Sequence, residues 1–428
     1  MNYFKPISIS LSPNVEKDDL KIALNLIIRP WLWKNGKGIA ELENEFKKYL
    51  GVKYAVSFNS GRSSFFAILK SLNLEKGSKV LVQAFTCNAV PNPILWADLE
   101  PVYIDCNNDD FNMSASDLTL QLASIPQGKK PKVLIVQHTY GLPANIDEIR
   151  AICSANNIIL VEDCAHSLGA EFNGLKVGSH SKVAFFSFSR DKVISSVYGG
   201  MAVTNDDKIG EALRQAQGKF GMPSQIWIFQ QIFHPIFLNY IILPIYNFLD
   251  LGKIFLVLSQ WLHILSKAVH WKEKKGERPD YFPRALPNAM AVMAFNQFNK
   301  IDKFYNHRKK ISEYYRENLK NTRFVLPVEK AESKPSYLRF TVKHKKAHEI
   351  IYEAWHNQNI LLGDWYTTPI APFDTKLERM RYKSGSCPVA EDLCNKTLNL
   401  PTHINISQKN AERIVNFLKK YEIKRNNK

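Results

Sequence analysis

Cysteine is scarce in this chain, and the spacing that would give it a structural role is missing. The six cysteines (Cys87, Cys106, Cys153, Cys164, Cys387 and Cys394) stand apart, with no CxxC pair among them. That pattern fits reduced thiols in a cytoplasmic protein better than a disulfide framework. Acidic residues are also short: 40 Asp and Glu face 57 Lys and Arg, for a net charge of +17. An anionic partner is therefore expected, whether nucleic acid, membrane surface or phosphorylated substrate. Zinc-finger spacing and RNA-binding signatures are absent, which sets nucleic acid aside. The N-terminal stretch Met1 to Pro13 has neither the long apolar core nor the cleavage site of a signal peptide. Internal repeats are absent as well. What remains is a chain of 428 residues, 45% hydrophobic and 23% charged, long enough for two domains with real cores.

Strand and helix patterns alternate through the first half. Strands are expected at Tyr54 to Phe58, Lys79 to Gln83, Pro101 to Ile104, Lys132 to Gln137, Ile158 to Glu162, Val183 to Phe188 and Met201 to Val203. Helices are expected between them, at Ser63 to Leu72, Asn88 to Trp96, Ser116 to Ala123 and Ile146 to Asn156. Continuous Val/Ile/Leu strands alternating with helices predict an α/β fold, a mostly parallel seven-stranded sheet between helices. A smaller α+β domain follows. It opens on a long helix from Met290 to Leu319 with a break near Tyr305 and Asn306, and contains a strand at Tyr337 to Val342. Helices at Ala347 to Gln358, from Pro388, and at Gln408 to Tyr421 complete it, before a basic, disordered tail from Lys424 to Lys428. The expected division is 1–219, 220–280 and 281–428.

Charge is missing altogether from Phe220 to Leu249, which contains no Asp, Glu, Lys or Arg. A second apolar run spans Ile254 to Leu265, and Lys267, Lys272, Lys274, Lys275 and Arg278 follow it. Pro235 and Pro244 interrupt the first run, and the second is short of the ~20 residues needed to span a bilayer. Two readings stand. Aromatic and apolar residues followed by a basic cluster suit an element lying in an anionic membrane interface, here about 220–278. The same composition suits an insertion packed in a core or at a subunit contact.

Three turns after strands carry candidate chemistry. Asn59-Ser60-Gly61-Arg62-Ser63-Ser64 opens a helix, where free N–H groups and the helix dipole favour a phosphate; serine-rich turns also simply cap helices. Asp163 and His166 follow an apolar strand, at the sheet edge where such folds bind ligands. A carboxylate there can hold a proton on a pyridine nitrogen, though it can equally cap a helix, and the histidine can be structural. Lys192 lies just beyond the strand that ends at Phe188, where desolvation favours the neutral amine that forms a Schiff base. Phosphate cradle, acid and lysine on one sheet together are what pyridoxal phosphate requires.

At these residues the chain resembles the DegT/DnrJ/StrS family of sugar aminotransferases, pyridoxal-phosphate enzymes of fold type I. The resemblance covers roughly 35–215 and 285–420. The family's Ser-Gly-Thr is matched by Ser60-Gly61-Arg62, and its Phe-Thr-aromatic by Phe85-Thr86-Cys87. Its Asp-x-Ala-Gln/His is matched by Asp163-Cys164-Ala165-His166, and its Phe-Ser-Phe-x-x-x-Lys by Phe186-Ser187-Phe188 through Lys192. Leu286-Pro287-Asn288 and Cys387-Pro388-Val389-Ala390-Glu391 look like further family landmarks. The resemblance implies that Ser60, Gly61, Arg62 and Ser187 hold the cofactor phosphate and that Thr86 and Cys87 line the ring. It also implies Asp163 at the ring nitrogen, His166 at the phenolic oxygen and Lys192 as the Schiff-base lysine. A related branch with His in place of that lysine is a dehydratase, whereas this chain keeps Lys192. The implied substrate is a nucleotide-linked keto sugar, the amino donor glutamate, the pathway glycan biosynthesis and the assembly a homodimer. Arg62 and Cys87 depart from the pattern, the Asn-x-Arg before Leu286 is replaced by Pro283-Arg284-Ala285, and the apolar insertion is unlike soluble members. A membrane-bound form acting on a lipid-linked substrate, or a non-catalytic protein on the same fold, are the alternatives.

Overall fold

The computed structural model describes residues 4–126 and 130–422. The expected tail Lys424 to Lys428 lies outside them. Seven strands form the central sheet: β1 (Tyr54–Phe58), β2 (Lys79–Gln83), β3 (Glu100–Ile104), β4 (Val133–Gln137), β5 (Ile159–Asp163), β6 (Val183–Ser187) and β7 (Gly200–Thr204). Their order across the sheet is β1-β7-β6-β5-β4-β2-β3. Pairs β6–β5, β5–β4, β4–β2 and β2–β3 are parallel, and β7 runs antiparallel to both β6 and β1. Every residue of β4 and β7 is buried, as expected of strands covered by helices on both faces.

This topology decides where a site can lie. Because β7 is antiparallel to both neighbours, β1 and β6 point the same way. The carboxyl ends of β1, β2, β4, β5 and β6 therefore share one edge, together with the amino end of β7. Across that edge Phe58, Gly200 and Ser187 stand in register.

Helices α1 (Lys17–Ile27) and α2 (Gly38–Leu50) precede the sheet. Helix α3 (Gly61–Ser71) follows β1 and buries Gly61 through Leu69 without interruption. The helix expected from Asn88 is shorter, Pro91–Trp96, with proline in its first turn. The residues before it, Thr86–Cys87, instead pair with Ile370–Ala371.

The first apolar run forms α4 (Gln225–Phe237), which continues through a wider and then a tighter turn to Ile245. Pro235 and Pro244 do not break it. A π turn at Leu238–Ile242 follows Pro235, whose carbonyl accepts a hydrogen bond from Asn239 Nδ2 at 2.8 Å, and Pro244 falls in the first turn of a 3₁₀ segment. The stretch Gln225–Ile245 is 21 residues long with mean hydropathy 1.4, so it has the length and composition of a span, yet 56% of its most apolar window is buried within the protein. Trp227, Ile228, Ile232 and Ile236 join the main core beside α1 and α2 residues such as Leu26 and Phe46.

The second run forms α5 (Leu251–Trp261), which is inside out. Its buried residues are Gly252 and Ser259, while Val257 is 65% and Trp261 71% exposed. Gly252 sits where a Cβ would fall 2.4 Å from Tyr246 Cα and 2.5 Å from Ile242 O, so α5 rides on the preceding turns through a residue without a side chain.

The C-terminal part begins with α6 (Asn288–Phe298) and α7 (Ile301–Leu319). The break falls at Asn299 and Lys300 rather than near Tyr305, because the apolar stripe of α6 ends at Phe298 and a new one starts at Ile301, both buried. Strands β8 (Arg339–Lys343) and β9 (Thr397–Pro401) pair antiparallel, and α8 (Gln408–Lys419) packs on α7 through Ile414 and Leu418.

Candidate active site

The shared sheet edge opens into a cavity of about 230 Å³, walled by Ser60, Gly61, Arg62, Thr86, Cys87, Asp163, His166, Ser187 and Lys192. All nine residues to which the family resemblance gives a cofactor role thus face one space, whereas the Ser63 and Ser64 hydroxyls are taken up by Asn59 Oδ1 and Ser60 O. The cradle comes first. Ser60 is the N-cap of α3, its hydroxyl accepting from Ser63 N at 3.0 Å. Gly200 leaves no room for a side chain: a Cβ there would lie 2.5 Å from Ser60 C and Gly61 N. A Cβ on Gly61 would lie 2.9 Å from Ser187 Cβ. These two glycines let the amino end of α3 approach the end of β6, so helix N–H groups and the Ser187 hydroxyl converge.

Arg62 is buried, and its charge is already met. It forms an ion pair with Glu273, which is fully buried, and its guanidinium carbon lies 4.6 Å from the Phe282 ring centroid. Burial works against the charge, but Glu273 outweighs it and raises the pKa. Glu273 in turn is fixed by His270 N at 2.8 Å, and its carbonyl accepts from Asn92 Nδ2 at 3.0 Å. Arg62 therefore ties the return arm of the insertion to the mouth of the cavity.

Asp163 ends β5 and is 3% exposed. Its Oδ1 accepts from Ala165 N at 2.9 Å. Burial pushes its pKa up to about 6, against the pull of that amide and of Lys192. The neighbouring Glu162 is a structural hub instead: it accepts from Gly178 N at 2.7 Å, His180 N at 2.9 Å, Ser181 N at 2.8 Å and Ser181 Oγ at 2.8 Å. His166 Nδ1 accepts from Tyr140 N at 3.2 Å, which leaves the ring proton on Nε2. Burial, then the charges of Lys192 and Arg339, hold its pKa well below the usual range, so the ring is neutral.

Lys192 follows the turn after β6. Its carbonyl accepts from Asn14 Nδ2 at 2.5 Å, and Asn14 Oδ1 accepts from the buried Arg308 at 2.7 Å. Burial lowers the lysine pKa to about 8, with Cys87 and Asp163 pulling it back up. Lys192 is the only lysine lining the cavity among the described residues. Thr86 Oγ1 donates to Gln137 Oε1 at 2.5 Å, and Cys87 presents a thiol whose pKa burial raises.

Trp365 is one of the aromatics lining the cavity, with Phe185, Tyr198, Tyr366 and Phe373. Its ring stacks on His166 with centroids 5.2 Å apart and lies 4.8 Å from Lys192 Nζ and 3.3 Å from the Arg339 guanidinium carbon. Tyr140 hydrogen-bonds the Trp365 carbonyl, so the loops Thr139 to Gly141 and Gly363 to Tyr366 meet here. Sequence reasoning missed Glu273, Arg339 and Arg190. Arg339 had a signal, a charge inside the apolar run Tyr337 to Val342, and Arg190 stood in the unread spacer before Lys192. Glu273 had none, since it sits among solvent-directed lysines.

Known proteins resemble this chain. The DegT/DnrJ/EryC1/StrS aminotransferase family model matches residues 14–232 and 268–419, leaving the exposed helix α5 and the end of α4 outside it. A GDP-perosamine synthase of Vibrio cholerae is 32% identical over 197 residues, 46% of this chain and 52% of that protein, so the alignment spans about half the relative's length. A GDP-perosamine synthase of Escherichia coli O157:H7 is 23% identical over 377 residues, 88% of each chain. The Helicobacter pylori aminotransferase involved in pseudoaminic acid biosynthesis superposes with a TM-score of 0.74 at 19% identity, over 98% of this chain and 99% of that one. This chain belongs to the DegT/DnrJ/EryC1/StrS aminotransferase family.

Proposed function

We propose that the protein is a pyridoxal-phosphate-dependent aminotransferase that moves an amino group from glutamate to a nucleotide-linked keto sugar in glycan biosynthesis. The observation that carries this reading is the meeting of Lys192, Asp163 and the amino end of α3 in one cavity, with the lysine pKa lowered to about 8. The residues fit the cofactor. Two glycines clear the approach of α3 to Ser187, a buried acid faces the cavity with no cation bonded to it among the described residues, and a depressed lysine stands opposite. When bound, pyridoxal phosphate supplies a reactive aldehyde carbon and an electron-withdrawing ring.

The chain's own residues do the rest. Ser60, the N–H groups of Gly61 and Arg62, and Ser187 hold the phosphate. Asp163 holds a proton at the ring nitrogen, and the His166 Nε2–H donates to the phenolic oxygen. Thr86 and Cys87 stand at the ring's edge. Lys192 Nζ would move the proton, taking it from the donor's α-carbon and returning it two atoms along, at the carbon beyond the transferred nitrogen. Trp365 and Tyr366 cover the site and exclude water. The names of the relatives support a nucleotide-sugar substrate, and the charge of +17 suits a diphosphate. We expect glutamate-dependent turnover of at least one nucleotide-linked keto sugar in a panel varied in base and keto position. Failure of the whole panel, with pyridoxal phosphate bound, would leave the substrate class wrong.

The helix α5 favours a location on an anionic membrane, at the inner face of the plasma membrane. Ile254, Phe255, Val257, Leu258, Trp261 and Leu262 are all exposed on it, more apolar surface than a soluble helix leaves uncovered. A basic run follows α5 in the chain, Lys267 to Arg278, and within it Lys275 Nζ lies 5.1 Å from the centroid of the exposed Trp271 ring. Apolar residues flanked by lysines match a lipid interface better than a neutral protein surface. The homodimer, in this reading, forms through other faces. The protein is expected to float with anionic liposomes and to stay down with neutral ones. Val257→Glu with Trp261→Glu should abolish flotation and leave turnover of a soluble substrate intact; flotation that survives this double change rules out α5 as the docking element.

A further inference from the structure

Among the described residues two guanidinium groups line the cavity, Arg62 and Arg190, and of these Arg62 alone forms an ion pair with a carboxylate. Arg190, on the turn two residues before Lys192, is 9% exposed. Its Nη2 donates to Ser266 O at 2.6 Å and Ser266 Oγ at 2.7 Å, both neutral. Its Nε has no hydrogen-bond partner among the described residues. Ser266 Oγ donates onward to Gln231 Oε1 at 2.7 Å. Gln231 lies on α4 and Ser266 just beyond α5, so the two arms of the insertion clasp this arginine.

The surroundings make the position costly without an anion. Arg62 and Arg190 lie against the same Tyr198 ring, with guanidinium carbons 5.9 and 5.6 Å from its centroid. Burial, and the like charge of Arg62, lower the Arg190 pKa, while Tyr198 and Asp191 oppose that. A buried cation bonded only to neutral groups gains most when a dianion arrives. The other donors toward such an anion are already in place. The amino end of α3 offers N–H groups at Gly61 and Arg62, Ser187 Oγ stands beside them, and Ser189 Oγ lies 3.4 Å from Ser187 Oγ. A phosphate monoester, with three peripheral oxygens and a charge near −2, suits this set.

We propose that Arg190, clasped by Ser266 and Gln231, binds the phosphate of pyridoxal phosphate from within the same chain. This rests on the cofactor reading above. The chain lacks the Asn-x-Arg segment before Leu286, and Arg190 supplies a phosphate contact of its own. It follows that the flanks of the insertion tune cofactor affinity.

Equilibrium titration of the cofactor-free protein with pyridoxal phosphate and with pyridoxal, followed by tryptophan fluorescence, tests this. Arg190→Gln should weaken pyridoxal phosphate binding by about 10- to 100-fold and leave pyridoxal within about twofold. Arg190→Lys, which keeps the charge, should recover most of the loss. An unchanged affinity for pyridoxal phosphate in Arg190→Gln, or an equal loss for pyridoxal, overturns the assignment; the second result would place Arg190 at the ring or in general stability. Wild-type protein that binds neither compound overturns the cofactor reading itself, and Arg190 with it.

Discussion

Replacement of Lys192 by alanine is expected to abolish transamination, by on the order of 10⁴-fold or more, and with it the near-visible absorbance that develops on adding pyridoxal phosphate. The size of the effect follows from the cavity. Among the described residues Arg62, Arg190 and Arg339 are the other cations near the site, and a guanidinium neither forms a Schiff base nor gives up its proton at working pH. An ordinary lysine with a pKa near 10.4 would be neutral at pH 7 in roughly four molecules in ten thousand; at about 8, Lys192 is neutral in roughly one in ten. Burial is the main cause of that shift, so the amine becomes a usable base because the walls of the site keep water off it. Folding should survive the change, since the backbone at 192 is fixed through its carbonyl by Asn14 and not through the side chain. A Lys192→Ala protein that turned over at the wild-type rate would end the aminotransferase mechanism proposed for this cavity.

The central sheet was legible in the sequence because its strands are buried on both faces. Runs such as Val133 to Val136 and Val183 to Phe186 have no solvent side to encode, so hydrophobicity alone marks them. The site was legible for a related reason: Ser60, Asp163 and Lys192 each follow directly on such a run, and parallel topology sends those ends to one edge. Contacts between distant segments were not legible. Glu273 is separated from Arg62 by 211 positions, and nothing local distinguishes it from Glu277, which is exposed. The apolar insertion was half legible. Absence of charge announced burial or membrane for the whole stretch, but the division between a core helix and an inside-out one depends on Gly252 and Ser259 facing inward, small residues that periodicity counts as weak signals.

Asp163→Asn is expected to split activity from stability, with opposite signs. In the cofactor-free protein Asp163 is a buried carboxylate whose pKa burial pushes up to about 6, against about 3.9 for an unfolded chain. Between those two values the folded state binds a proton that the unfolded state has released, so stability falls as pH rises from about 4 to about 6 and stays lower above that. Asparagine removes the buried charge and can still accept the Ala165 N–H through Oδ1. The variant should therefore lose this pH slope and be more stable than wild type at pH 7 to 8 by about 1–3 kcal/mol, read from denaturant titrations at pH 4, 6 and 8. Activity should move the other way, by orders of magnitude, because a neutral amide cannot hold a proton on the ring nitrogen. An Asn variant that is less stable at pH 8 yet fully active would make Asp163 a structural cap; one that is more stable and inactive identifies a charge kept in the core at a cost to folding because the chemistry requires it.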